Sequence, residues 1–242
     1  MTVEQVVRGA DDAEVARLAA REVARLLTAR SGGTTHLVLT GGTLTRTLHP
    51  VLADEPVDWS RVEVWWGDDR YVPAADEERN AGQAHQDLLT RVTVARVHEM
   101  PPSDAGHPDV TAAAAAYDAE LRAAVDHVGP DEPWFEVLML GIGPDGHCAS
   151  LFPGRPELRS PSYVVPVSDS PKPPPTRISL GMAALGKARH VVFVATGSGK
   201  AEAVARSVRG GDVDQTPAAG PRGLESTTWF VDAEAAALIE EG

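Results

Sequence analysis

The chain has 242 residues, of which 43% are hydrophobic and 24% are charged, as is usual for a globular protein. Its net charge of −13 disfavours binding to nucleic acid or to an anionic membrane surface, because no run of lysine or arginine offsets it. The single cysteine, Cys148, excludes an internal disulfide and a zinc site built on several thiolates.

The N-terminal stretch is polar and acidic and lacks the apolar segment of a signal peptide. No apolar run approaches the roughly 18 residues that a membrane span needs. We therefore expect a soluble, cytoplasmic protein that makes no contact with a membrane. Since no stretch resembles an interdomain linker, we also predict a single α/β domain over residues 1–242.

Helical and strand-like patterns alternate along the chain, beginning with a helix predicted over Asp11 to Arg30, where apolar residues recur at helical spacing. The predicted buried strands are Thr35–Thr40, Arg61–Trp66, Phe135–Leu140, His190–Thr196 and Thr227–Val231, and the further helices are Asn80–Val92, Asp109–Val128, Ser198–Val208 and Ala233–Glu241. The Pro-rich stretch Ser170 to Pro175 is interpreted as a surface loop. This alternation predicts a mainly parallel sheet flanked by helices on both faces.

Four of the five predicted strands run into glycine, at the edge of the sheet where α/β folds bind their ligands. Each glycine alone is explained equally well by a turn of the chain, but four together favour a site. The loop Thr40–Thr45, TGGTLT, places backbone N–H groups before a helix, which suits an anion such as phosphate. It lacks both the lysine of a P-loop and the spacing of a dinucleotide-binding fingerprint.

Charged and titratable residues follow the later strands. Asp68 and Arg70 lie in GDDRYVP, where the alternative is an Asp–Arg pair internal to the turn. Asp145 and His147 flank a glycine in LGIGPDGHCASLFP, and an imidazole there can accept a proton from water or a sugar hydroxyl, unless it is merely a solvated loop histidine.

Two cations lie further along, Arg177 in PPPTRISL and Lys200 in TGSGKAEAV. In an acidic protein, cations beside glycine loops are candidate partners of a phosphate group. Lys200 also fits the alternative of an ordinary exposed helix lysine.

The block GIGPDGHCASLFPG resembles the signature of the 6-phosphogluconolactonases, and TGGT, GDDRYVP, PPPTRISL and GSGK occur in the order found in that family. These blocks extend from Thr40 to Lys200. The resemblance implies a Rossmann-like sheet related to that of glucosamine-6-phosphate isomerase/deaminase. It also implies hydrolysis of 6-phospho-D-glucono-1,5-lactone to 6-phospho-D-gluconate, the second step of the oxidative pentose phosphate pathway, without a metal or organic cofactor.

The resemblance further implies roles for individual residues. His147 is the expected catalytic base, Asp145 its partner and Arg70 the active-site arginine. The residues expected at the substrate and its phosphate are Gly41, Gly42, Thr43, Asp68, Arg177 and Lys200. The chain departs from the family at Asp69, where glutamate is usual, at Cys148, where threonine is commoner, and after the glycines, where Ser-Thr-Pro is often found.

Two alternatives remain beside hydrolysis of the lactone. The related deaminases carry a glutamate shortly after the histidine, whereas Phe152 stands here, and an aromatic ring cannot transfer protons. A sugar-phosphate sensor would carry a DNA-binding unit with a basic face, for which the chain has neither the length nor the charge. The expected partner is a small phosphorylated sugar lactone, bound by a monomer or a weak homo-oligomer.

Overall fold

The computed structural model describes residues 3–30, 32–129 and 131–239. The strands are β1 Val3–Gly9, β2 Thr35–Leu39, β3 Val62–Trp66, β4 Asp68–Arg70, β5 Arg96–Val97, β6 Phe135–Gly141, β7 Val164–Val167, β8 Arg177–Leu180, β9 Ala188–Ala195 and β10 Ser226–Asp232. The α-helices are α1 Asp12–Ala29, α2 Thr45–Ala53, α3 Asn80–Ala84, α4 Val110–Val125, α5 Met182–Leu185 and α6 Ala201–Val208. No described helix is both long and apolar enough to cross a bilayer.

The main sheet has seven strands in the order β1-β10-β9-β6-β2-β3-β5, and every neighbouring pair is parallel. Its central strand β6 is buried from Phe135 to Leu140, as expected where helices cover both faces of a parallel sheet. The predicted α/β fold is therefore confirmed. The strand order places the ends of β2, β3, β6 and β9 at one edge of the sheet.

A second sheet of three antiparallel strands, β4-β8-β7, was not predicted from the sequence. β4 is the polar tripeptide Asp-Asp-Arg, and β8 mixes two polar residues with two apolar ones. β7 is apolar but has only four residues and contains a proline, which weakens the signal of a strand. Leu180 N donates to Gly67 O at 2.8 Å, which joins β8 to the end of β3. One hydrophobic cluster takes in both sheets, which supports the prediction of one domain.

The helix ends follow local side-chain chemistry. Asp11 caps α1, since its carboxylate accepts from Glu14 N at 2.8 Å, while Glu14 accepts from Ala10 N at 2.7 Å. Asp109 caps α4 in the same way through Ala112 N at 2.9 Å. These acidic caps complement the positive ends of the two longest helices.

Three further differences from the sequence-based predictions concern β1 and two of the predicted helices. β1 was missed because it is an edge strand, paired only with β10, and has few apolar residues. The helix predicted over Asn80–Val92 is α3 followed by a π-helical turn, His85–Leu89. The segment predicted as helix Ala233–Glu241 forms turns over 233–238, and residues 240 and 241 lie outside the described residues. Ala235 and Ala236 are nevertheless buried in the core, as parts of these turns.

Candidate active site

A cavity of about 280 Å³ opens where β2, β3, β6 and β9 end. All of the predicted site residues except Asp145 line it, namely Gly41, Gly42, Thr43, Asp68, Arg70, His147, Arg177 and Lys200. Asp145 contacts the cavity through its hydrogen bond to His147. The structure therefore brings the predicted residues together, while their chemical roles remain proposals.

His147 and Asp145 are joined within a tight turn after β6. The turn is closed by Gly146 N, which donates to Gly143 O at 2.9 Å, and by Gly143 N, which donates to His147 O at 2.9 Å. The imidazole Nδ1 lies 2.5 Å from Asp145 Oδ1. With Nδ1 committed to the carboxylate, Nε2 is the ring nitrogen that remains for a ligand.

The glycines of this turn are required by close approach. A Cβ atom on Gly143 would lie 2.1 Å from two atoms of the His147 ring and 2.5 Å from Asp145 Oδ1. Gly146 has φ +91°, and its Cβ would also contact Thr216 at 2.9 Å. Gly143 therefore leaves the space that the imidazole and its carboxylate occupy, and Gly146 allows the positive φ of the turn.

Asp145 is held in its ionised form. Burial would raise the pKa of its carboxyl group, but the hydrogen bond and charge of His147, with the charge of Lys172, lower the pKa to about 2. Lys172 Nζ lies 3.9 Å from Asp145 Oδ1. An ionised carboxylate only accepts hydrogen bonds, so Nδ1 of His147 is the donor in this contact and Nε2 is the ring nitrogen left without this partner.

The loop after β2 forms the opposite side of the cavity. Gly42 has φ +115°, and a Cβ on Gly41 would lie 2.0 Å from the Asn80 side chain. Thr45 Oγ1 donates to Gly42 O at 2.6 Å, which tightens the turn into α2. Gly41 therefore makes room for the Asn80 side chain, and Gly42, whose Cβ would meet nothing within 4 Å, leaves its backbone open at the positive end of a helix.

Lys200 enters the cavity from the turn after β9. It ends the 3₁₀ turn Ser198–Lys200, so it is not the exposed helix lysine of the alternative interpretation. Burial lowers the pKa of its ammonium group, and Asp12 acts in the opposite direction. A half-buried cation next to a glycine loop is suited to a phosphate group.

The two consecutive aspartates of β4 lie in different environments. Asp68 lines the cavity and accepts a hydrogen bond from Ser150 Oγ at 2.6 Å. Asp69 forms a buried ion pair with Arg79 at 2.9 Å and accepts from Asn80 N at 2.7 Å, so it fixes the start of α3. Burial raises the pKa of Asp69, against the charge of Arg79. Asp68 is thus the carboxylate available to a ligand.

Arg70 lines the cavity and is anchored from outside it. Its Nη1 donates to Glu78 O and lies 3.5 Å from Glu78 Oε2, while its Nε is buried without a partner among the described residues. The Asp–Arg pair considered for this turn is therefore not formed by the Arg70 side chain, which pairs with Glu78. The Arg70 guanidinium group therefore lies at the cavity with one N–H group, that of Nε, not satisfied by the described residues.

Arg177, expected at the phosphate, is largely occupied by the protein. Its guanidinium group donates to three consecutive carbonyl oxygens, those of Lys172 at 3.0 Å, Pro173 at 3.2 Å and Pro174 at 3.1 Å. A fourth hydrogen bond reaches Ser150 Oγ at 3.4 Å. Arg177 therefore holds the Lys172–Pro174 segment, and its contact with a phosphate stays a prediction.

Two residues of the cavity were missed in the sequence. Lys172 lies in the Pro-rich stretch interpreted as a surface loop, and only its neighbour Arg177 drew attention. Asn80 donates to Asp68 O at 2.9 Å and leaves its Oδ1 buried without a partner in the part of the chain that the structure describes. The site was predicted from strands that run into glycine, and neither residue belongs to such a strand or to the loop that follows it.

Phe152, which the family resemblance matches to the glutamate of the deaminases, packs against His147. It is 2% exposed, and its ring centroid lies 4.6 Å from that of His147. The Arg177 guanidinium lies 5.9 Å from the same ring centroid. The side of the imidazole that Phe152 covers is therefore apolar.

Comparison with known proteins gives consistent results for sequence and fold. A 6-phosphogluconolactonase of Streptomyces coelicolor is 46% identical over 231 residues, covering 91% of this chain and 88% of that protein. One from Mycobacterium tuberculosis is 44% identical over 84% of both chains. The crystal structure of a Thermotoga maritima 6-phosphogluconolactonase superposes on this chain with a TM-score of 0.81 at 24% identity. The superposition covers 96% of this chain and 100% of the Thermotoga chain.

The fold alone does not separate the two activities of the superfamily. A monomeric glucosamine-6-phosphate deaminase is 20% identical and superposes with a TM-score of 0.78 over 97% of this chain and 99% of its own. The family model described as "Glucosamine-6-phosphate isomerases/6-phosphogluconolactonase" matches residues 10–229, nearly the whole sequence. On this match and on the identity to curated relatives, the chain belongs to the glucosamine-6-phosphate isomerase/6-phosphogluconolactonase family.

Proposed function

We propose that this chain hydrolyses 6-phospho-D-glucono-1,5-lactone to 6-phospho-D-gluconate with His147 as the general base. Its curated relatives at 44–46% identity are 6-phosphogluconolactonases, which makes the chain an enzyme of that kind. The observation that carries the mechanism is the 2.5 Å contact between Asp145 Oδ1 and His147 Nδ1 beside the cavity. This contact supports the tautomer in which Nδ1 donates to Asp145 and Nε2 can accept a proton.

Water attacks the lactone carbonyl carbon while His147 Nε2 accepts its proton. The imidazolium that results is stabilised by the ionised Asp145, which does not itself take up the proton. His147 then donates that proton to the ring oxygen as the C1–O5 bond breaks. General acid–base assistance of this kind contributes roughly 10²–10⁴-fold to the rate.

Negative charge that develops on the carbonyl oxygen requires donors within the cavity. Arg70 offers a buried Nε–H that has no partner among the described residues. A preorganised charged donor is effective here because it needs no reorganisation as the charge appears. We assign this role to Arg70, with the loop N–H groups as the alternative.

The phosphate group fits the part of the cavity between the glycine loop and Lys200. Gly41, Gly42 and Thr43 present backbone there, and Lys200 supplies a positive charge. Binding energy from the phosphate would hold C1 of the sugar near His147, which lowers the entropic cost of the reaction. The cavity volume of about 280 Å³ is close to the lower limit for small-molecule sites.

Isomerisation with deamination is disfavoured by Phe152. Opening of an amino-sugar ring and transfer of protons between its carbons require more than one acid–base group, and an apolar ring covers one side of His147. Hydrolysis of an activated ester needs only the histidine and an oxyanion donor.

The test is a coupled assay in which glucose-6-phosphate dehydrogenase generates the lactone and acid release is followed against spontaneous hydrolysis. Wild-type protein should accelerate hydrolysis, and His147→Ala should lower kcat by roughly 10²-fold or more with a modest change in KM. Near-normal turnover by His147→Ala would contradict the mechanism. Thermal stabilisation by 6-phosphogluconate without turnover by the wild type would instead favour the sugar-phosphate sensor.

A further inference from the structure

A buried carboxylate with no place in the mechanism above lies at the end of β10. Asp232 is 8% exposed and accepts backbone hydrogen bonds from two different loops. Gly197 N donates to its Oδ1 at 3.1 Å and to its Oδ2 at 3.0 Å, and Ala235 N donates to its Oδ1 at 2.7 Å. Burying a charge costs free energy, and the hydrogen bonds that Asp232 accepts from Gly197 N and Ala235 N offset that cost.

The segment that Asp232 holds leads directly to Lys200. Gly197 has φ +89°, a conformation in which a residue with a side chain would be strained. Lys200 N donates to Gly197 O at 3.1 Å, which closes the turn that carries the lysine. Asp232, Gly197 and Lys200 therefore form a chain of direct contacts from β10 to the cavity.

We infer that Asp232 is a positioning residue for phosphate recognition, which it serves by fixing the turn that carries Lys200 into the cavity. The inference rests on the proposed function, because it assigns Lys200 to the phosphate group of the substrate. Asp232 lies outside the set of residues that line that cavity and so acts through the turn.

An effect of Asp232 on phosphate recognition has a competing explanation in its charge. A nearby carboxylate favours the protonated form of Lys200, whatever its contact with the turn. Asp12 provides the matched comparison. Burial lowers the pKa of Lys200 most, and among the opposing carboxylates Asp12 raises it more than Asp232 does. Asp12 lies on the exposed first turn of α1, and its side chain makes no hydrogen bond to the 197–200 turn among the described residues. Removing either charge therefore separates an electrostatic effect from a positional one.

The experiment compares Asp232→Asn with Asp12→Asn on two substrates, 6-phosphogluconolactone and unphosphorylated gluconolactone. Asparagine can keep its oxygen at the Oδ1 position, where it still accepts from Ala235 N, but its N–H group then replaces Oδ2 and faces Gly197 N, so the hold on the 197–200 turn is weakened. We expect Asp232→Asn to raise KM for the phosphorylated lactone by about tenfold or more, with kcat and gluconolactone turnover within about twofold of wild type. Asp12→Asn should stay within about twofold on both substrates.

The double variant Asp232→Asn/Lys200→Ala distinguishes an effect through the lysine from a general structural role. If Asp232 acts through the lysine, Asp232→Asn should add no further rise in KM in the Lys200→Ala background. An additive rise would overturn the inference, as would equal effects of Asp232→Asn and Asp12→Asn or equal losses on both lactones.

Two further measurements keep the result decisive. If Asp232→Asn does not fold, Gly197→Ala perturbs the same turn with the carboxylate in place, and the same selective rise in KM is expected; a wild-type KM would overturn the inference. If the wild-type protein shows no lactone turnover, the proposed function fails. Binding of inorganic phosphate, measured by calorimetry, then tests the inference alone, because it should weaken in Asp232→Asn and not in Asp12→Asn.

Discussion

Gly143→Ala should remove most of the activity while leaving the fold intact. The new Cβ would lie 2.1 Å from Cε1 and Nδ1 of His147 and 2.5 Å from Asp145 Oδ1. Ordinary contacts begin near 3.4 Å, so the ring must move by about 1.3 Å and the carboxylate by about 0.9 Å. Gly143 is not among the residues with positive φ, so the backbone itself accepts alanine.

The size of the effect follows from how steeply catalysis depends on position. A displacement of about 1 Å costs roughly 10²-fold in rate where a base must meet a water and a carbonyl carbon in line. We expect kcat in the coupled lactone assay to fall by about that factor, with Tm within a few degrees of wild type. Gly82→Ala is the matched control, since the nearest atom to its Cβ is 4.0 Å away and α3 accepts alanine.

Two results would refute this reasoning. Wild-type kcat in a folded Gly143→Ala protein would show that the observed position of the imidazole is not needed for turnover. A further loss when Gly143→Ala is added to His147→Ala would show that the glycine acts on something other than the histidine, because a substitution that works only by displacing the ring has no effect once the ring is absent.

Three further outcomes are expected. Asp145→Asn should lower kcat by about 10²-fold or more, because the amide can turn an N–H group towards His147 Nδ1 and no longer stabilises the imidazolium. An unchanged kcat in the lactone assay would contradict this expectation. Lys200→Ala should mainly raise KM for the phosphorylated lactone and leave gluconolactone turnover unaffected, so equal losses on both substrates would contradict its role at the phosphate. His49 is 2% exposed, its ring nitrogens have no partner among the described residues, and burial lowers its pKa to about 4. The unfolded chain binds a proton below about pH 6.5 and the folded chain does not, so this residue should cost about 3 kcal/mol of stability between pH 6.5 and 4. Denaturant unfolding of His49→Leu should lack that loss, whereas His127→Leu, at an exposed site, should follow the wild type.

The sequence was sufficient to predict which residues lie together at the cavity because the signal of the candidate site is local. Each glycine-ended strand shows its apolar run and its loop within about ten residues, and the rule that parallel strands end at one edge brings the loops together. His147, Asp145 and Lys200 were found in this way. Their hydrogen bonds needed the structure, as did the distinction between a lysine at the cavity and one on an exposed helix.

The parts that escaped prediction depend on contacts between segments distant in sequence. β4 and β8 pair Asp68 with Ser179 and Arg70 with Arg177, more than a hundred residues apart, and neither strand has a pattern of its own. The position of Lys172 follows from the same pairing, since Arg177 holds the preceding loop through its carbonyl groups. A short strand stabilised by its partner has no hydrophobic periodicity to reveal it.

The strand β4 also accounts for the two aspartates that the sequence alone did not distinguish. Side chains alternate between the faces of a strand, so consecutive carboxylates cannot serve the same site. Asp68 lies on the side of the cavity, and Asp69 lies on the side of Arg79, where it anchors α3. A glutamate is usual in the family at the position of Asp69. The departure that the resemblance implies at Asp69 therefore affects an ion pair next to the cavity and leaves the carboxylate that lines the cavity unchanged.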